Sequence, residues 1–455
     1  MADQSLQEKI QNASMWKLML TLSLPSILAM SINGINTFVD GLFVGQLVGQ
    51  DGVAAIGLAF PLTMITNGFA AMVGAGASSV LSIALGAGDE DTQKRVFGVL
   101  TMLCLVCGGL LTLVAGYYAE NLIAFMGGEG EVLRLGTIYY RITLWGAFFR
   151  IFGVAANRLI RAEGRISIAM GMTIVATVMN MVLNPILIGY FNLGIGGAAW
   201  ATVLAMVLYS ALDVWYFWTG RATFPVAWRQ WRLDWNFIKP ILSVGASAMT
   251  LQIMFFVQQA VVFKSIAYYG GADDQAFMGA CYRVVVLLLL PSFGFSHALQ
   301  PVVGINYGAE KFARVKEAFS VYAITNVGVV LLIVVIALFF PETILRWLLP
   351  DMAFTDQHLF NFQMMMSSLP LIPIFLLGGV FFQSIGDAKT AGILVVSREV
   401  LLYIPSILAM PLIFGLDGIY FAGIPVNIIF FFVTGGLVWR SFRQWKVSPS
   451  PQPIG

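Results

Sequence analysis

The run Met15–Asp40, M-W-K-L-M-L-T-L-S-L-P-S-I-L-A-M-S-I-N-G-I-N-T-F-V-D, decides the fold. No charge interrupts it between Lys17 and Asp40. A helix needs about 20 such residues to cross a hydrocarbon core of about 30 Å. The fourteen residues ahead of it are polar, and no small-residue cleavage site follows. The run therefore reads as a retained membrane span, not as a removable leader.

Working outward, charge clusters and Gly/Pro breaks cut the chain into twelve apolar segments. They cover roughly 15–39, 53–80, 96–118, 135–156, 167–190, 194–218, 237–263, 276–303, 317–340, 359–383, 390–414 and 417–439. In lipid no backbone N–H or C=O can stay unpaired, so each is expected to be a helix. Composition agrees. Of 455 residues, 59% are apolar and 11% charged, against about 25% charged in soluble domains. Mean hydropathy is +0.84. So few charges cannot cover a soluble globule of this composition. A net charge of +2 is too small to attract nucleic acid.

Basic residues alternate between loops. Eighteen fall at the N-terminus, the even loops and the tail, among them Lys94, Arg95, Arg158, Arg161, Arg165, Lys311 and Arg443. Three fall on the other side, Arg134, Lys264 and Arg346. The positive-inside rule then places both termini and the 219–236 connection in the cytoplasm of a plasma-membrane protein. The Pro/Ser tail 448–455 is expected to be disordered.

The sequence also repeats at an ungapped offset of 222. Ala54, Gly57, Val80, Ile83, Gly86, Ala87, Lys94, Gly164 and Gly196 match Ala276, Gly279, Val302, Ile305, Gly308, Ala309, Lys316, Gly386 and Gly418. The expected fold is an all-α membrane protein with twelve transmembrane helices in two pseudo-symmetric six-helix lobes. Its divisions are a segment 1–14, a first lobe 15–218, a linker 219–236, a second lobe 237–439 and a tail 440–455. Parallel repeats of this kind are typical of transporters that rock two lobes about a midplane site.

Polar residues inside spans carry function or pack helices. Asp40 ends the first span without a nearby basic residue in sequence. Asn180 and Asn184, four apart, share one face of span five at the same depth, and Pro185 follows. Tyr139, Asn157 and Thr202 are candidates to join them. Each also has a plain structural reading, as interfacial charge, helix glue or backbone-bonded hydroxyl. Pro25 breaks a hydrogen bond in span one and offers a hinge. Asp213, near the inner end of span six, is expected to reach cytoplasmic water or a basic loop residue. Arg398 and Glu399 are expected to pair with another helix. Arg141, Arg150 and Arg283 are either helix clamps or cavity charges. The three cysteines, with Cys104 and Cys107 inside an apolar run, and the two histidines, His297 and His358, suggest neither a disulfide framework nor a metal site.

Nearly the whole chain resembles the multidrug and toxic compound extrusion family, its DinF-like prokaryotic branch in particular. The likeness rests on Leu24–Pro25, Val39–Asp40, Gly86–Ala87, Asn157–Gly164 (N-R-L-I-R-A-E-G), Asn180–Pro185 (N-M-V-L-N-P) and Gly196–Thr202 (G-G-A-A-W-A-T). The resemblance implies a non-enzymatic multidrug exporter. It would exchange amphipathic, often cationic compounds for protons or sodium ions, as a monomer and without a cofactor. It also implies a coupling cluster of Asp40, Tyr139, Asn157, Asn180, Asn184 and Thr202, with Pro25 as the bending proline. The family commonly has Asp where Asn184 stands, which leaves one ionisable group in that cluster. Spans seven and ten lack the acids of the sodium-coupled branch and span seven carries Gln252, Gln258 and Gln259 instead, so protons are favoured. Sodium near Asp40 stays open, because Asn and Thr oxygens can coordinate it. Besides a membrane enzyme, for which the spans offer no metal-ligand set or nucleophile–base pair, two alternatives remain. One is a lipid-linked-saccharide flippase of the same superfamily, with Arg150 and Arg283 in its cavity. The other is a major-facilitator transporter, which Gly88–Asp91 followed by Lys94 and Arg95 fits poorly.

Overall fold

A computed structural model describes residues 4–226, 234–349 and 352–445. Arg229, Arg232, Lys446 and the tail 448–455 lie outside the described residues. No strand occurs among the described residues. The first lobe follows a short helix α1 (Gln4–Asn12). It consists of α2 (Met15–Leu47), α3 (Gln50–Ala87), α4 (Glu90–Tyr117), α5 (Ala119–Phe125), α6 (Gly130–Trp145), α7 (Ala147–Ala162), α8 (Ile166–Pro185) and α9 (Gly194–Trp218). The second contains α10 (Trp235–Tyr269), α11 (Ala272–Gly308), α12 (Phe312–Phe339), α13 (Pro341–Leu348), α14 (Asp356–Ser367), α15 (Ile372–Ser384), α16 (Ala388–Val396), α17 (Ile404–Phe414), α18 (Asp417–Phe421) and α19 (Gly423–Gln444).

Eleven helical stretches among the described residues are long and apolar enough to cross a membrane. The fourth expected span differs. Gly146 splits it into α6 and α7, and α7 runs to Ala162, beyond the expected end at 156. At Gly146 a Cβ would stand 2.8 Å from Val203 Cγ2, so the break lets α9 come close. Helix α2 continues through Pro25. Wide π-helical turns interrupt two spans, at Ile186–Tyr190 after Pro185 and at Ser397–Tyr403.

Both ends of the described chain meet at the α11–α12 connection. Arg314 Nη2 donates to the carbonyls of Ile10 (3.1 Å) and Ala13 (2.7 Å). Trp445 stacks on Phe312 with centroids 5.1 Å apart. This end of the bundle is the terminal end. At the same end Glu163, in the short connection after α7, ties down the start of the linker. It accepts from Thr223 N–H (2.6 Å), Thr223 Oγ1 (2.7 Å) and the Tyr216 hydroxyl. Burial pushes its carboxyl up to about 7, against the pull of those three donors.

The repeat becomes a pseudo-two-fold axis between α3 and α11. Ser78 and Gln300 occupy equivalent positions 222 apart, and Gln300 Nε2 donates to Ser78 Oγ at 2.6 Å. A Cβ on Gly86 would overlap the carbonyl oxygen of Ile305, and one on the equivalent Gly308 would overlap that of Ile83. The contact is thus reciprocal. Deeper in the interface, a Cβ on Gly76 would overlap the carbonyl oxygen of Ile241, and one on Gly245 that of Met72. A buried polar chain adds to the closure. Ser79 Oγ donates to the Gln383 carbonyl (2.5 Å), and Gln383 Nε2 donates to Ser247 Oγ (3.1 Å). Toward the other end the equivalent glycines Gly57 and Gly279 have nothing within 4 Å. The tight lobe-to-lobe approaches therefore concentrate in the terminal half.

Candidate functional site

Each lobe encloses a cavity. That of the first lobe has a volume of about 540 Å³ and is polar at both ends. Asp40 lies toward the far end of α2, because α2 begins at the terminal end. Asn36 sits one turn before it, and its Nδ2 donates to Asp40 Oδ2 at 3.0 Å. From α8, Asn184 Nδ2 donates to Asp40 Oδ1 at 2.5 Å. The Asn180 amide is assigned with its nitrogen toward the same carboxylate, since the reverse sets its oxygen against acceptors alone. In that orientation it donates to Asp40 Oδ1 at 3.0 Å, while its oxygen accepts from Thr202 N–H at 3.2 Å. Three amides thus surround one carboxylate, and no Lys, Arg or His among the described residues lies within 4.0 Å of it.

A carboxylate with three donors and no cation is sensitive to its own proton. Ionised, it accepts all three bonds. Protonated, it becomes a donor at one oxygen, and an amide facing that oxygen must turn over or let go. A proton on Asp40 would therefore change the hydrogen bonds that join α2 to α8.

The other residues expected in the cluster, Tyr139, Asn157 and Thr202, all line the same cavity. The Thr202 hydroxyl donates to the Ala198 carbonyl at 3.2 Å, the backbone-bonded arrangement common in membrane helices. Asn157 does not reach Asp40. It sits at the terminal end of α7, where Nδ2 donates to the Ala169 carbonyl (2.9 Å) and to Asp213 Oδ1 (3.5 Å). Asp213 is fully buried and does not reach water; of the two expected surroundings it has the other, lying near Arg161, one of the basic residues expected in a loop. Asn33, Asn36 and Thr177 were missed. Thr177 Oγ1 donates to Asn33 Oδ1 at 2.8 Å. The spacing of Asn33, Asn36 and Asp40, three then four, was the available signal.

Arg158 and Arg161 line the terminal end of this cavity, and Arg150 lies about 12 Å farther from that end along α7. Arg150 Nη1 donates to Asn67 Oδ1 at 3.3 Å. Arg158 and Arg161, expected in a loop, lie on α7 because that helix extends past 156, and both line the cavity. Arg141 and Arg283 line neither cavity; both are exposed, and Arg141 lies 4.0 Å from Glu120.

The second-lobe cavity, about 280 Å³, is mostly apolar and aromatic, with Gln252, Gln258, Arg398 and Glu399 in its wall. Arg398 and Glu399 pair with each other, not with another helix's charge. Arg398 Nη2 also donates to Asn427 Oδ1 at 2.9 Å, and its guanidinium lies 4.7 Å from the centre of the Phe375 ring. The wide turn at Ser397–Tyr403 is what lets two neighbouring residues both face inward. No group of three His, Cys, Asp or Glu able to hold a metal ion occurs among the described residues.

A profile of the MatE family matches residues 25–186 and 246–408, one match in each lobe. The chain is 26% identical to the multidrug export protein MepA of Staphylococcus aureus (strain MRSA252) over 410 residues, 90% of each protein. It is 25% identical to the probable multidrug resistance protein YoeA of Bacillus subtilis (strain 168), covering 72% of this chain and 73% of that one. A crystal structure of MATE in the straight conformation superposes with a TM-score of 0.90 at 25% identity, over 97% of this chain and 99% of that one. The two matched halves, the helical lobes and these relatives together place the chain in the MatE family of multidrug and toxic compound extrusion transporters.

Proposed function

We propose that this protein exports amphipathic organic compounds across the plasma membrane in exchange for protons, working as a monomer by alternating access of its two lobes. The observation that carries the reading is the Asp40 carboxylate held by the amides of Asn36, Asn180 and Asn184 inside a large cavity. MepA, a multidrug export protein, aligns over 90% of this chain. Protons are favoured over sodium because amide nitrogens, not oxygens, face the carboxylate. A hard cation takes oxygen ligands, so a sodium ion would require these amides to turn.

The test is a pair of proteoliposome series with a fluorescent lipophilic cation, one with sodium and one without. Substrate addition is expected to release protons, and an imposed pH gradient to drive uptake equally in both series. Transport that needs sodium and ignores the pH gradient would overturn proton coupling.

Orientation is tested separately. Both termini and the linker are assigned to the cytoplasm. Pro225→Cys in the linker is expected to react with an impermeant maleimide only from the cytoplasmic side, and Glu129→Cys only from outside. Both positions are exposed. The reverse pattern would invert the assignment.

Asn184→Asp probes the cluster more finely. A carboxylate cannot donate to Asp40 unless it holds a proton, so two acids at 2.5 Å must share one. The pH optimum of export is expected to shift in a folded protein. An unchanged pH profile would remove Asn184 from the coupling site and leave it a helix-packing residue.

A further inference from the structure

The first-lobe cavity has two poles of opposite charge, and the function proposed above uses one of them. We propose that Arg158 and Arg161 bind an anionic group of the substrate, so that zwitterionic amphiphiles are preferred over simple cations. This rests on the exporter reading but concerns a different end of the cavity.

Arg161 is 8% exposed and its Nε has no hydrogen-bond partner. Arg158 Nε is likewise buried without a partner. Neither side chain makes a hydrogen bond or an ion pair within 4.0 Å with any described residue, and both line the cavity. A buried guanidinium with unpaired N–H groups is costly, and side chains kept this way are kept for a partner that comes and goes. The neighbouring charges do not neutralise them. Asp213 is buried near Arg161 and offsets part of one charge, but its hydrogen-bond donor is Asn157. Arg150, about 12 Å back along α7 from Arg158, lies nearer Tyr139 and does not belong to this end, whereas His297 supplies an imidazole beside Arg158 and Arg161.

The backbone makes room for this pole. A Cβ on Gly74 would stand 2.7 Å from Arg158 Cδ and 3.0 Å from the Cα of Ala155. The glycine thus lets α7 lie against α3 and lets the arginine stem pass into the cavity. A guanidinium fork suits a carboxylate, sulfonate or phosphate oxygen pair. Asp40, at the opposite end, suits the cationic group of the same molecule. Such a substrate bridges α2 and α7.

The test uses a matched pair of xanthene dyes, one with a free carboxylate beside its cationic ring system and one with that carboxylate esterified. Binding to purified protein in lipid nanodiscs is read by fluorescence anisotropy. Wild type is expected to bind the carboxylate dye about tenfold more tightly than the ester, the lower range for a charge-assisted hydrogen bond. Arg158→Gln and Arg161→Gln are expected to remove that preference while still binding the ester. Arg158→Lys is expected to retain part of it, which separates recognition of charge from a folding defect. Competition by phosphatidylglycerol in the nanodisc would also support the anion site and identify a lipid headgroup as the anion's source. Equal binding of both dyes by wild type, binding of neither, or an unchanged preference in both glutamine variants would overturn the proposal. Export of the ester by wild type without any carboxylate preference would sink the arginine pole and leave the exporter reading intact. Failure to export either dye would count against that reading itself.

Discussion

Asp40→Asn is expected to fold, reach the membrane and bind substrate, yet fail to build a substrate gradient from a pH gradient. An exporter that exchanges one proton per substrate gains about 1.36 kcal/mol from each pH unit, which supports about tenfold accumulation. Without a titrating group at position 40 that factor falls to one, and the substrate merely equilibrates. Asparagine preserves the shape of the site. Its oxygen accepts from one neighbouring amide, and a second amide can turn to accept from its nitrogen. Loss of accumulation with normal thermal stability and normal binding is therefore the expected pattern. Full accumulation in the variant would mean that the coupling proton sits elsewhere.

The second large effect belongs to the lobe interface. Gly245→Val is expected to reduce transport by tenfold or more, because a side chain there meets the Met72 carbonyl of the other lobe. Overpacking a well-filled contact costs about 1–3 kcal/mol. Here the lobes can escape that cost by separating at the terminal end, so the variant is expected to change conformation more than stability. Spin labels at Asp91→Cys and Ala313→Cys, exposed positions on the two lobes at that end, are expected to lie farther apart in Gly245→Val than in wild type. Gly279→Val is the control, since a Cβ there would meet no atom of another element within 4 Å. A normal distance distribution with normal transport in Gly245→Val would show that the contact at Met72 yields without consequence.

These expectations indicate how much could be read from the chain alone. The spans were legible because lipid forbids unpaired backbone groups, so apolar length translates directly into helix. The repeat was legible too, and its most consequential positions, Gly86 and Gly308, stand where the two lobes touch. What the spacing could not convey was where one long span breaks. Gly146 splits the fourth, and the extension of α7 to Ala162 carries Arg158 and Arg161 out of the expected loop and into the cavity. Counting them as loop charges concealed the positive pole.

The candidate site was legible in part. Asp40, Asn180 and Asn184 come together as their depths suggested. Asn157 is a candidate for that group both from its place in span four and from the resemblance, yet span four runs toward the terminal end and places it at the opposite pole beside Asp213. Asn36 completes the set of amides around Asp40 and was visible only as a helical neighbour. Pair contacts across lobes, such as Ser78 with Gln300, could not be inferred from either half alone, because a repeat states equivalence and not proximity.

If substrate and proton compete through Asp40, substrate binding expels a proton, and the protons expelled can be counted. Substrate binding to purified protein would be measured by isothermal titration calorimetry in two buffers of different ionisation enthalpy at the same pH. The difference in heat gives the number of protons released. Wild type is expected to release a measurable fraction of a proton per substrate, and Asp40→Asn to release none while still binding. Equal proton release from both proteins, or none from wild type across the pH range in which it transports, would contradict the account.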